Sequence, residues 1–417
     1  MTITAEPTIH HRTLDNGLAV VVEPMPSVQS AAVRVLLPGG LTAEKPDQAG
    51  SAGLLAEMLL RGTDGRSARA VSDALDDLGA ERATSATTHH LAVDGSCVAD
   101  NLDALLGELL AIARRPDLEP TPFEGAKLLA EQAIEGLADE PQRRALIELR
   151  ARHLPDPLGR SDLGKLEAVR AMTPDDLRAL HDRVALPGGA IVAVAGNVDP
   201  AAVVDRVAEL TADWSGDAAA IAAPAGEPSG YAHVEAKTTQ VHIAGASHAV
   251  PERDESAAML QKVAVAVLSG GMSGRLFTEV REKRGLCYSV FATYAGLAYR
   301  GAVFSYAGTT TARAQETLDV LAGELRRLAE GVSADEFERA VVGLKARLVM
   351  QGESTSERAD ALARDVFVHG RPRPLTALAE QVDAVTLDAL NQFVETSAPS
   401  AMTWVTIGPE PLTPPSA

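Results

Sequence analysis

Two residues seven positions apart, Arg281 and Tyr288, offer the clearest chemistry in this sequence. An arginine carries five N–H donors in a planar fork and a tyrosine carries a hydroxyl on a rigid ring, so the two aimed at one place suit gripping a peptide backbone. The run around them reads R-L-F-T-E-V-R-E-K-R-G-L-C-Y-S-V from Arg275 to Val290. Leu276, Phe277 and Val280 recur at helical spacing, basic residues close the segment, and Gly285 follows as a stop. From Leu286 to Ala295 the residues alternate with the period of a strand. The reversal at Gly285 is expected to bring Arg281, on the last helical turn, beside Tyr288 at the strand start. By pattern alone, a solvated helix end followed by an amphipathic strand is the plainer reading.

Other chemistries find less support. His10 with His11 and His89 with His90 are adjacent pairs, which on a strand point to opposite faces and chelate poorly. His153, His181, His233, His242, His248 and His369 stand alone and read as surface or capping residues. Cys287 has no general base near it in sequence and reads as a small buried residue. The glycine-rich run Ser269-Gly270-Gly271-Met272-Ser273-Gly274 lacks the lysine of a phosphate-binding loop.

The 417 residues are enough for two domains of ordinary size, and 46% hydrophobic with 23% charged residues describes a globular chain. Only 3% are aromatic, so the cores must be packed with Ala, Val and Leu. A formal charge of −19 argues against nucleic acid or an anionic membrane as partner and would draw in cationic peptides. Two cysteines without paired spacing, no leader-like N-terminus and no long apolar run point to a soluble cytoplasmic protein.

The elements that must position Arg281 and Tyr288 follow from periodicity and caps. Asn16-Gly17 signals a turn ahead of an apolar strand, and a strand follows at Ser30 to Leu37. Helices are expected at Ser51 to Leu60, Ser67 to Leu78, Asn101 to Arg115 and, as one long element, about Pro122 to Arg152. Strands are expected at Ala83 to Thr88, Leu91 to Val98 and Ala190 to Gly196, with a helix opened by Thr173-Pro174-Asp175-Asp176. Between Trp214 and Gly230 the composition turns to Gly, Ala, Pro and Ser, so residues 1–213 and 231–417 read as domains joined by a linker at 214–230. The second half repeats the first in outline: the run at Val385 to Leu390 echoes that at Met172 to Leu177, and Met402 to Ile407 echoes Ala190 to Gly196.

This pattern closely resembles the M16 (insulinase, or mitochondrial processing peptidase-like) zinc proteases over nearly the whole chain. The resemblance implies an α+β chain of two homologous LuxS/metallohydrolase-like domains, each a mostly antiparallel sheet packed with helices. In the family the residues matching Arg281 and Tyr288 hold substrate main chain beside the metal, and those matching Gly270 and Gly271 form a glycine-rich loop on the substrate side.

Catalytic members carry H-x-x-E-H on a helix of the first half. Here the matching positions are Gly53 for the first ligand, Ala56 for the general base and Glu57 for the second ligand, and Ala133 stands where the third ligand, a Glu, is expected. Catalytic zinc ordinarily needs three protein ligands, so Glu57 alone cannot hold it, and no base remains to activate water. Glu57 reads instead as a solvated or ion-paired helix residue. The resemblance therefore implies a chain that is inactive alone and binds no metal or other cofactor. It would be the substrate-binding subunit of a heterodimer whose zinc lies in a paralogous partner with intact H-x-x-E-H, cleaving peptides in an enclosed chamber. A structural or scaffold subunit, or a stand-alone peptide-binding protein, are the alternatives.

Overall fold

The computed structural model describes residues 8–219, 226, 230–397 and 402–415, so the linker expected at 214–230 lies for the most part outside the described residues. The strands, in chain order, are β1 (His10–Thr13), β2 (Ala19–Pro24), β3 (Ser30–Pro38), β4 (Gly62–Thr63), β5 (Arg66–Ser67), β6 (Glu81–Ala86), β7 (His90–Val98), β8 (Ile191–Gly196), β9 (Tyr231–Glu235), β10 (Gln240–Ala249), β11 (Cys287–Gly296), β12 (Gly301–Thr310) and β13 (Met402–Gly408). The helices are α1 (Ser51–Leu59), α2 (Ala68–Asp77), α3 (Leu102–Arg114), α4 (Pro120–Gly136), α5 (Pro141–His153), α6 (Leu166–Ala171), α7 (Pro174–Val184) and α8 (Pro200–Leu210). They continue with α9 (Glu255–Ser269), α10 (Ala314–Arg327), α11 (Ala334–Gly352), α12 (Thr355–His369), α13 (Leu375–Asp383) and α14 (Leu387–Thr396).

Two compact units result, and neither is one continuous stretch. The first comprises residues 1–136, 160–222 and 350–374, and the second comprises 137–159, 223–349 and 375–417. Residues 137–159, which include α5, thus leave the first half for the second unit, and residues 350–374, which include α12, do the reverse.

In the first unit the strand order is β1-β2-β8-β3-β7-β6, antiparallel throughout except for the parallel pair β2/β8. Every residue of β8 is buried, because both faces of the sheet are covered. On one face Val33, Val35 and Leu37 pack with Leu55, Leu59, Leu105 and Leu109. On the other, Val21, Ala32, Leu36 and Ile191 pack with Ala359, Leu362, Ala363 and Val366 of α12. Arg358, almost wholly buried, fixes α12 to β2 by donating from Nε and Nη2 to Oε2 of Glu23 at 2.8 and 2.6 Å.

The second unit repeats this plan. Its order β9-β13-β10-β12-β11 follows β2-β8-β3-β7-β6 strand for strand, with one parallel pair, β9/β13, in the matching place. Ala145 and Leu149 of α5 pack on Ala244, Ala246, Phe304 and Val405, while Leu276, Val280, Leu318 and Leu321 pack with Val241, Ile243 and Ala307. Edge strand β11 carries Tyr288, and the helix before it carries Arg281.

One expectation is corrected, and one helix was not expected. The helix expected over about 122–152 is two helices, α4 and α5, interrupted before Pro141. Proline disfavours helical geometry in the residue before it, and Glu140 accordingly sits at φ −117°, ψ 61°. α12 was not anticipated from periodicity at all. The helix opened by Thr173 forms as expected, with Thr173 and Asp176 capping each other's backbone N–H at α7, and Ser333 and Glu336 do the same at α11. Among the described residues no helix is long and apolar enough to cross a membrane.

Candidate functional site

The segment that carries Arg281 is wound wider than an α-helix. Over Phe277–Glu282 its bonding runs one residue longer, as in the Lys283 N–H donating to the Thr278 carbonyl at 2.9 Å. It ends where Gly285 takes φ +58°, a conformation that glycine adopts without a Cβ penalty. The Gly285 and Leu286 N–H groups then close the turn on the Arg281 and Val280 carbonyls, both at 3.0 Å. From the other side, Arg313 donates to the Gly285 carbonyl.

Strand β11 begins with an irregularity. Cys287 faces Thr309 and Ser289 faces Gly308, so Tyr288 is the extra residue of a bulge and has no cross-strand partner. Bulges re-aim side chains, and Tyr288 points outward, 83% exposed. Cys287 is buried beneath it, its thiol pushed up to about 11 by burial, which agrees with the small-residue reading. The Thr309 hydroxyl donates to the Leu286 carbonyl at 2.5 Å and pins the strand start.

Helix and bulge together bring Arg281 and Tyr288 into contact. The Arg281 guanidinium carbon lies 5.1 Å from the Tyr288 ring centre and 4.7 Å from that of Phe277, one helical turn back. Phe277 was read from sequence only as part of the helix's apolar spacing. Its distance of four residues from Arg281 was the available signal.

A network of charges anchors the same helix. Glu279 accepts from Lys283 at 2.7 Å and Arg284 at 2.9 Å, and these bonds hold its carboxyl below the usual carboxylate range. Arg275 forms a two-pronged pair with Glu336 at 2.6 and 2.9 Å, which lowers Glu336 to about 2 against the opposing effect of burial. Gly270 caps α9, its N–H on the Ala266 carbonyl at 2.7 Å, and Gly271 follows at φ +154°. Both lie in the turn between α9 and the helix that carries Arg281, and among the described residues no contact joins them to Arg281 or Tyr288.

The four zinc-motif positions all fall in the first unit. Gly53, Ala56 and Glu57 lie on α1, and Ala133 is exposed on α4. A Cβ on Gly53 would stand 2.2 Å from the Asp162 carbonyl oxygen, so main chain occupies the space that a ligand side chain would need. Ala56 is buried, and Glu57 pairs with Arg61 one turn on. Among the described residues no three His, Cys, Asp or Glu gather as a metal site. The residues at these positions do not fit zinc.

The histidines differ from expectation. His89 and His90 are both buried and both pack on Phe367 of α12, with ring centres 5.4 and 4.4 Å away, rather than facing opposite ways on a strand. His153 and His242 are buried rather than surface residues, with hydrogen bonds to Thr403 at 3.0 Å and Tyr306 at 2.7 Å, while His181, also buried, caps the last turn of α3 through the Ala113 carbonyl at 2.9 Å. Burial pushes His90 down to about 3 and His153 to about 4.

Comparison with known proteins bears on the fold and the family. The profile described as "Insulinase (Peptidase family M16)" matches residues 19–163, and that described as "Peptidase M16 inactive domain" matches residues 171–344. The chain is 31% identical to an uncharacterized zinc protease of Streptomyces coelicolor over 91% of its own length and 85% of the relative's. It is 25% identical to the uncharacterized zinc protease YmxG of Bacillus subtilis over 92% and 94%. A crystal structure of a peptidase M16 inactive domain from Pseudomonas fluorescens shares its fold with a TM-score of 0.86 at 20% identity, covering 98% of this chain and all of that one. Two repeated units of mostly antiparallel sheet, matched over nearly the full length, place this chain in peptidase family M16.

Proposed function

We propose that this chain is the non-catalytic, substrate-binding subunit of a heterodimeric zinc metalloendopeptidase that processes peptides. The observation that carries the reading is the contact of Arg281 with Tyr288 at a bulged, exposed sheet edge. It occurs in a chain whose zinc-motif positions hold Gly53, Ala56, Glu57 and Ala133. A paralogous partner with intact H-x-x-E-H would hold the zinc, and the setting would be cytoplasmic, which suits two unpaired cysteines, Cys97 and Cys287.

In this reading the peptide lies extended along a strand edge, where main-chain hydrogen bonds supply affinity without regard to sequence. Arg281 and Tyr288 donate to its carbonyl oxygens and fix the bond to be cut. A donor preset by packing orients the substrate at little entropic cost, and remote binding of this kind assists the reacting centre.

The test is copurification with a paralogue bearing H-x-x-E-H, zinc analysis of each chain, and peptide cleavage by each alone and by the mixture. The expected result is zinc in the paralogue only and cleavage by the mixture only. Stoichiometric zinc with hydrolysis by this chain alone would refute the reading, and a stable pair that cleaves no peptide would favour a scaffold role.

A further inference from the structure

Arg281 differs from most of the cations around it in having no carboxylate to neutralise it. Lys283, Arg284 and Arg327 converge on Glu279, and Arg275 is held by Glu336. Arg281 makes no ion pair among the described residues, and neither does Arg313, whose guanidinium is bound to the Gly285 carbonyl between Arg281 and Tyr288 in sequence. The chain has 57 acidic residues to 38 basic ones, so a pair of unneutralised arginines at one turn is not what composition alone would give.

Arg281 is held instead by rings. Phe277 and Tyr288 both lie against its guanidinium, at 4.7 and 5.1 Å, and such contacts use the π-surface and leave the N–H edge unspent. An edge held in one plane, with no internal acid on it, matches a planar acceptor of opposite charge. A carboxylate can take two parallel N–H donors at once, which adds geometric specificity as well as energy to the pairing of opposite charges.

We infer that the edge of Arg281 is a carboxylate-binding site, taking either the terminal or a side-chain carboxylate of a bound peptide, with Phe277 and Tyr288 as positioning residues that keep the guanidinium in plane. This rests on the reading of Arg281 and Tyr288 as the pair that grips peptide. It adds a preference that gripping main-chain carbonyls would not produce.

Four N-acetylated decapeptides of Ala, Ser and Lys separate the sources: one with a free C-terminal carboxylate, one amidated, one amidated with a central Glu and one amidated with a central Gln. Titration calorimetry on the full chain is expected to show at least tenfold tighter binding for the free terminus over its amide, or for Glu over Gln. That preference should be lost in Arg281→Ala, fall severalfold in Arg281→Lys and in Phe277→Leu, and shrink as salt rises, with the melting temperature of each variant unchanged. Equal binding of all four peptides, binding of none, or a preference that survives Arg281→Ala would overturn the inference. Cleavage by the mixed subunits that is equal for all four would also overturn it while leaving the subunit role intact. A carboxylate preference in the chain alone, with no cleavage by any mixture, would do the reverse.

Discussion

Gly53 lies so close to Asp162 that a Cβ on the glycine would stand 2.2 Å from the aspartate's carbonyl oxygen. The first zinc-ligand position is therefore closed by main chain, and a flexible side chain cannot simply swing away. Gly53→Ala, which elsewhere in a helix would stabilise by up to about 1 kcal/mol, is expected here to destabilise by roughly 1–3 kcal/mol. Chemical denaturation of the variant against the parent checks this. Equal or greater stability would mean that Asp162 yields readily.

Arg281→Ala is expected to lower the catalytic efficiency of a reconstituted heterodimer about 10- to 150-fold, the range set by a charge-assisted bond of roughly 1.5–3 kcal/mol. Tyr288→Phe keeps the ring against Arg281 and removes only a neutral hydroxyl, so the expected loss is smaller, roughly 0.5–1.5 kcal/mol. Steady-state kinetics, with melting curves to confirm that both variants fold, distinguishes the two. Unchanged turnover in Arg281→Ala would remove the gripping role.

The buried pair between Arg358 and Glu23 supports a third expectation. Arg358→Ala leaves the Glu23 carboxylate largely buried with its two nearest donors gone, which should cost about 3–5 kcal/mol. Replacing both residues by apolar ones of similar volume should cost far less. Unfolding midpoints of the single and double variants measure the difference.

Two histidines set a pH dependence. His90 and His153 stay neutral in the folded chain down to about 3 and 4, whereas in the unfolded chain they take up a proton near 6.5. Below 6.5 the unfolded state binds more protons, so their contribution is whole above that pH and is lost as pH falls towards 4. Each costs about 1.4 kcal/mol per pH unit while that imbalance lasts. His153→Gln is expected to flatten the loss of stability between pH 6.5 and 4, and a slope identical to the parent's would contradict this.

What was legible in the sequence was local. The helix start at Thr173, the stop at Gly285 and the alternation after it depend on neighbouring residues, and the last two set the helix end and the strand that bring Arg281 to Tyr288. What escaped depends on distant chain. His89 and His90 read as a divergent strand pair because Phe367, which both touch, belongs to a helix some 280 residues further on. The closing of Gly53 depends on Asp162, and the bulge at Tyr288 depends on a register with β12 that alternation alone does not reveal.

The interchange of α5 and α12 bears on what would happen if the polypeptide were made in two pieces. A fragment ending at Ala222 would lack the helix that covers Val21, Leu36 and Ile191, and its complement would lack the one that covers Ala244 and Phe304. Each piece should be insoluble when expressed singly, whereas coexpression should yield a stable, copurifying complex, because each fragment carries the missing lining of the other.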